Sequence, residues 1–108
     1  MTPDEARNAL TARAAALLEE DAISNEARAP VTLQQDSVGR LSRMDAMQQQ
    51  AMAQAQERRR GQERIRIKAA LARIDDGEWG YCVTCGEDIA PARLEHDPSV
   101  AVCVGCAA

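Results

Sequence analysis

The stretch YCVTCGEDIAPARLEHDPSVAVCVGC, residues 81–106, decides how this chain folds. Its four cysteines, Cys82, Cys85, Cys103 and Cys106, follow the spacing C-x2-C-x17-C-x2-C, and the chain has no others. Each C-x-x-C pair presents two sulfurs from one tight knuckle, and two knuckles close a tetrahedron around one Zn²⁺. A site with four thiolates leaves no open coordination position. Its zinc is structural: it folds the segment and does not activate water. Two disulfides would be the other arrangement, but the opening residues do not read as an export signal, and a reducing cytoplasm is expected.

Outward from the finger, composition limits what else the chain builds. It has 108 residues, one Trp, one Tyr and no Phe, too few aromatics for a thick globular core. Alanine dominates the apolar residues and suits close helix–helix contact. A small tail poor in large apolar groups needs a staple, which metal supplies. The formal net charge is -4, which opposes non-specific DNA binding through phosphate neutralisation. No stretch is long and apolar enough to span a membrane.

Upstream, the pattern is helical. Thr2 as N-cap, Pro3 at the first helical position and Glu5 at N3 form a capping box. A first helix is expected over 3–24, with Leu10, Ala14 and Leu17 as its apolar stripe and Leu18 widening it. Residues 25–36 read as a loop, because Pro30 disfavours helix at Ala29 and Val31-Thr32 favour extended backbone. A second helix is expected over 37–75, capped by Asp36 or Ser37 and stopped at Gly77. Its apolar side is marked by Leu41, Met44, Ala51, Ala55, Ile65, Ala69 and Ile74, with Gly61 a soft point. Such a helix is a rod of roughly 58 Å, which no domain this small hides, so pairing with the first helix as an antiparallel coiled-coil hairpin is expected. The shorter helix would cover the first half to two thirds of the longer one. Residues 65–74 would then pack on the finger, with Trp79 and Tyr81 covering the junction.

Residues 57–73 are basic: Arg58, Arg59, Arg60, Arg64, Arg66, Lys68 and Arg73 face only Glu57 and Glu63. This is either a solvated, ion-paired face or an electropositive collar for an acidic partner or anionic ligand. His96, the lone histidine, reads as a surface residue beside four well-spaced cysteines. Met44, Met47 and Met52 read as packing or adaptable partner contacts. No nucleophile–base pair, phosphate loop or paired carboxylates appear, so no enzyme is expected.

Arg73 to Cys106 is similar to the DksA/TraR family of bacterial zinc-finger transcription regulators. Gly77, Trp79, Gly80, Tyr81, Cys82, Cys85, Gly86, Ile89, Arg93, Leu94, Pro98, Cys103 and Cys106 carry the resemblance. It implies a non-enzymatic factor that binds RNA polymerase and inserts its coiled-coil tip through the secondary channel toward the active-site Mg²⁺. Tip acids then alter initiation, often with ppGpp. Asp36 and Asp45 are the candidate tip acids, and Arg59 and Arg66 the candidate polymerase or ppGpp contacts. The family's tip pattern Asp-x-x-Asp-x-Ala starts at Asp36 but meets Gly39 and Leu41 at its later positions. A gap-free count from Cys82 puts Gly39 and Ser42 where the two acids belong. Asp97 falls where longer members carry a basic residue near their ppGpp site. The chain runs two residues past Cys106, so the family's usual C-terminal helix is not expected.

The expected organisation is a hairpin over 1–76 and a four-cysteine zinc finger over 77–108, mainly α-helical and monomeric, without sequence-specific DNA binding. A nucleic-acid-binding zinc module and an adaptor for another protein are the alternative functions; steep salt dependence of DNA affinity would mark the former.

Overall fold

The computed structural model describes residues 1–28 and 40–107. Among the described residues three helices carry the fold: α1 (Pro3–Arg28), α2 (Arg40–Asp75) and α3 (Pro91–His96). The molecule measures 60 × 28 × 19 Å, the outline of a rod. With 36 residues, α2 alone spans about 54 Å. Among the described residues no helix is long and apolar enough to cross a membrane.

The caps follow from the sequence. The Glu5 amide donates to Thr2 Oγ1 at 3.2 Å, and Ala6 N–H to the Thr2 carbonyl at 2.9 Å. At the other end Gly77 takes φ 75°. Its N–H donates to the Ile74 carbonyl at 3.2 Å, and Glu78 N–H reaches the Arg73 carbonyl at 2.8 Å. These paired bonds close α2 in a Schellman turn, which needs a residue that tolerates the left-handed region.

The first helix outruns its expected end at 24 and continues to Arg28. The restriction imposed by Pro30 acts on the residue before it, and nothing in Asn25–Arg28 breaks a helix. Residues 29–36 of the expected loop, with Asp36 among them, and the expected helix start at 37–39 lie outside the described residues.

The register also differs from expectation. Arg7 Nη2 meets Asp75 Oδ1 at 2.6 Å, and Arg13 grips Glu63 through Nε at 2.7 Å and Nη2 at 3.1 Å. Asp21 accepts from Arg60 Nε at 2.8 Å and from Arg64. As α1 advances, its partners on α2 recede, so the pair is antiparallel. The shorter helix therefore covers the finger-proximal part of α2, not its first half. Residues 43–52 are exposed at every position.

The α1 stripe is as read: Leu10 and Leu17 are buried and Ala14 packs against them. Leu18, expected to widen it, is exposed. The α2 stripe is as read at Ile74, which is buried, and in part at Ala55, which is half-buried, but elsewhere it is out of phase with the reading. Ile67 (3% exposed) and Ala70 join Ile74 on the inner face, whereas Ile65 (70% exposed), Ala69, Ala51 and Met44 point out. Both sets have helical spacing. The hairpin uses the one that meets Ala6, Leu10 and Leu17 and also reaches the finger.

Two outcomes test this packing. Ile67→Ala should destabilise the protein by about 2–4 kcal/mol, and Ile65→Ala by less than about 0.5 kcal/mol, in urea unfolding followed by circular dichroism. The Arg60 hydrogen bond, aided by Arg64, holds the Asp21 carboxyl below its ordinary range. The stabilisation from that depressed group is present above the unfolded carboxylate range near ~4 and is lost as pH falls through the folded value. Asp21→Asn should lower Tm at pH 7 by on the order of 5 °C. The gap to the unmodified chain should close at pH 2; a constant gap would show that the carboxylate charge is not what matters.

Candidate metal centre

The finger is built on short backbone bonds because it has little apolar mass. Tyr81 and Asp88 form an antiparallel bridge. Ile89 N–H donates to the Gly80 carbonyl at 2.8 Å, and Cys82 N–H to that of Glu87 at 2.8 Å. Gly86 N–H returns to the Cys82 carbonyl at 2.9 Å, closing the first knuckle. In the second knuckle, Cys106 and Ala107 donate to the Cys103 carbonyl at 3.1 and 3.0 Å. Val83 N–H crosses between them to the Ala101 carbonyl at 2.9 Å.

These turns bring the four cysteine sulfurs within 4.8 Å of one another. Cys85 and Cys103 Sγ are 3.7 Å apart. A tetrahedron with Zn–S bonds of about 2.3 Å has sulfurs about 3.8 Å apart. Cys82 is buried, Cys85 exposed and the other two partly covered. The electrostatics also suit a cation. Amide donors, that of Cys85 first, bring the Cys82 thiol down to about 6. The neighbouring sulfurs, Cys103 first, push Cys106 up to about 12. Cys82 thus gives a thiolate readily, whereas neighbouring sulfurs push Cys85 and Cys106 up, against deprotonation until a divalent cation offsets the crowded charge. His96 is exposed and outside this cluster.

The finger is seated on the hairpin by its central segment. Pro91 starts α3, which buries Leu94. Asp97 Oδ1 accepts from Ser99 Oγ at 2.6 Å and Ser99 N–H at 3.0 Å, satisfying the buried serine. Trp79 is buried with its Nε1 donating to the Pro98 carbonyl at 2.9 Å. Tyr81, expected to share that role, is 50% exposed. Gly80, at φ 94°, turns the chain between them, so the two rings do not share a side. Arg93 donates to the Val102 carbonyl at 3.0 Å, and Arg73 to that of Ser99 at 3.4 Å.

The other candidate residues are spread along the rod. Asp45 is exposed near the far end of α2, and Arg59 is exposed in the collar. Arg66, two turns nearer the finger, lines an open groove of about 470 Å³ with Arg13, Glu63, His96, Asp97 and Ser99. Asp45 and Arg66 are thus about 31 Å apart along the axis. Sequence reasoning did not find Arg13 or Asp21. Their partners on α2 lie 50 residues away for Arg13 and 39 and 43 for Asp21, beyond any local pattern.

Residues 77–108 match the prokaryotic dksA/traR C4-type zinc finger. Over 41 residues the chain is 42% identical to an RNA polymerase-binding transcription factor DksA from Haemophilus influenzae, covering 38% of this chain and 28% of that protein. The protein of that name from Escherichia coli K12 is 37% identical over 41 residues, 38% of this chain and 27% of the relative. The Caulobacter vibrioides one is 46% identical over 39 residues, 36% of this chain and 28% of the relative. The matched part is thus less than a third of these relatives' length. The fold is similar to that of transcription factor DksA2 from Pseudomonas aeruginosa, with TM-score 0.73 and 20% identity over 97% of this chain and 79% of that one.

The purified protein should carry one zinc per chain by elemental analysis, and Cys103→Ser should lose it. Trp79 fluorescence should then shift to the red while far-ultraviolet circular dichroism keeps most of the helix. Loss of nearly all helix would show that the hairpin does not stand without the finger.

Proposed function

We propose that this chain, a member of the DksA/TraR family by its C-terminal finger, binds bacterial RNA polymerase and modulates initiation by inserting its hairpin into the secondary channel. The observation that carries the reading is the combination of that finger with a 60 Å rod. Curated relatives with the same finger are named as RNA polymerase-binding factors. In this reading Cys82, Cys85, Cys103 and Cys106 hold the zinc. The metal's role is to fix the finger against α2, and all contacts with the partner come from the chain itself.

The rod delivers its far end to a recessed site. Asp36 and Asp45 are the acids offered there, and Arg59 and Arg66 contact the polymerase from the collar. The acidic total of -4 suits a factor that works beside DNA without binding it. The reading is of a monomeric, non-enzymatic, cytoplasmic factor.

For ppGpp the groove beside Arg66 is a poor host. Arg13 is engaged by Glu63 through two hydrogen bonds, and Asp97 brings a second carboxylate to the lining. A polyanion needs several uncommitted cations, and of the arginines that line the groove among the described residues Arg66 alone has no ion pair. We therefore assign ppGpp a minor part in this chain's action.

The test is photocrosslinking to purified bacterial RNA polymerase from residues introduced in place of Asp36 and Asp45, with a known secondary-channel factor as competitor. A competed crosslink near the polymerase active site is expected. Folded, zinc-loaded protein that gives neither crosslink nor binding would turn the reading to an adaptor for another partner.

A further inference from the structure

We propose that α2 contains a joint at Gly61 and that the Asp21 carboxylate is the brace that holds it straight, so that the far segment of the rod is an arm whose swing this clasp controls. The inference stands on the hairpin alone and does not depend on the polymerase reading.

Gly61 is the one glycine in the three described helices. Neither the backbone nor the packing demands it. It is not among the residues with positive φ. A methyl group added there would meet only Arg64 Nη2, at 3.5 Å, an ordinary contact. Alanine would therefore fit and would favour the helix. What glycine supplies is a weak turn, because it lowers the cost of leaving helical geometry.

Position gives that weakness an effect. The buried cluster reaches no further than Leu17 on α1 and Ile67 on α2. Gly61 stands about 9 Å along the axis beyond Ile67, toward the far end. No residue of α2 between 43 and 60 is fully buried. One side of the glycine is thus anchored in a core. The other side, residues 40–60, is an arm of about 32 Å, and a bend of about ten degrees at Gly61 moves its end by about 5 Å.

The clasp lies across this point. Arg60 and Arg64 stand one turn apart with Gly61 between them. Asp21 Oδ1 accepts from Arg60 Nε at 2.8 Å, and Oδ2 accepts from Arg64 Nη1. One carboxylate ties the residue before the glycine to the residue three after it, and ties both to α1. Bending α2 away from α1 at Gly61 must pull a guanidinium off an oxygen. The Asp21 and Arg60 side chains are only 24% and 13% exposed, so water screens their attraction less than it would at the surface. The closed clasp is not fully satisfied, however. Arg60 Nη2 is buried with no hydrogen-bond partner among the described residues. A buried donor left unmade favours a state that returns it to water. A charge pair that closes the joint therefore works against a weak turn and an orphan donor that open it, and the balance between two such states can be shifted.

The test is the distance distribution between spin labels in the full, zinc-loaded chain, read by pulsed electron paramagnetic resonance at pH 7. The labels are carried by non-natural residues, which spare the four cysteines, in place of exposed Met47 on the arm and exposed Ala92 on α3. Asp21→Asn should widen the distribution by about twofold or more, and Arg64→Gln, which removes one side of the clasp, should widen it as well. Gly61→Ala added to Asp21→Asn should return the original width. Arg7→Gln, which breaks the pair with Asp75 at the base, should leave the width unchanged. Each variant is checked for helicity and zinc content. An unchanged width in both Asp21→Asn and Arg64→Gln would overturn the brace. Equal widening by Arg7→Gln would overturn it too, because any lost pair would then loosen the hairpin. Widening that Gly61→Ala does not reverse would overturn the joint.

Discussion

Everything in this molecule hangs on one apolar contact at the base of the rod. Ala6 and Leu10 of α1, Ile67, Ala70 and Ile74 of α2, and Trp79, Ile89 and Leu94 of the finger belong to a single buried cluster. Neither part has the mass to form a core of its own. The finger has little more than Trp79, Ile89 and Leu94 to bury, and the hairpin thins to alanine and exposed methionine away from the base. Joining them lets a chain without phenylalanine bury enough apolar surface to fold.

Polar groups extend the order that this cluster begins. Above it the helices are held by Arg13 on Glu63 and by Asp21 between Arg60 and Arg64. Such pairs add modest stability when solvated, but they favour this register, because a slip of one turn would carry Glu63 away from Arg13 and Asp75 away from Arg7. Within the finger, Asp97 and Ser99 shape the turn that carries the Pro98 carbonyl to Trp79. Backbone geometry, hydrogen bonds and crowded sulfurs together make a site whose chemistry asks for a cation.

Local chemistry made part of this legible in the sequence. The cysteine spacing, the Thr2 cap, the Gly77 stop and the stripe from Leu10 to Leu17 each depend on a few neighbouring residues, and each stands in the structure. The phase of α2 was not legible. Two stripes of equal spacing run along that helix, and nothing within it says which one α1 will meet. That choice is made by contacts far apart in sequence, such as Arg7 with Asp75 and the shared cluster at the base. Tyr81 was misjudged for a smaller reason: the positive φ of Gly80 breaks the alternation that would have set it beside Trp79.

The Schellman turn at Gly77 has a mechanical consequence. It leaves no slack residues between the last turn of α2 and Trp79, which is locked to the Pro98 carbonyl. The rod is in effect a lever clamped at its fulcrum. Over a helix of about 54 Å, a tilt of one degree at the base moves the far end by about 0.9 Å. The buried base therefore governs the aim of side chains at the opposite end, and a substitution that loosens the seat of Trp79 would spoil that aim without touching the tip.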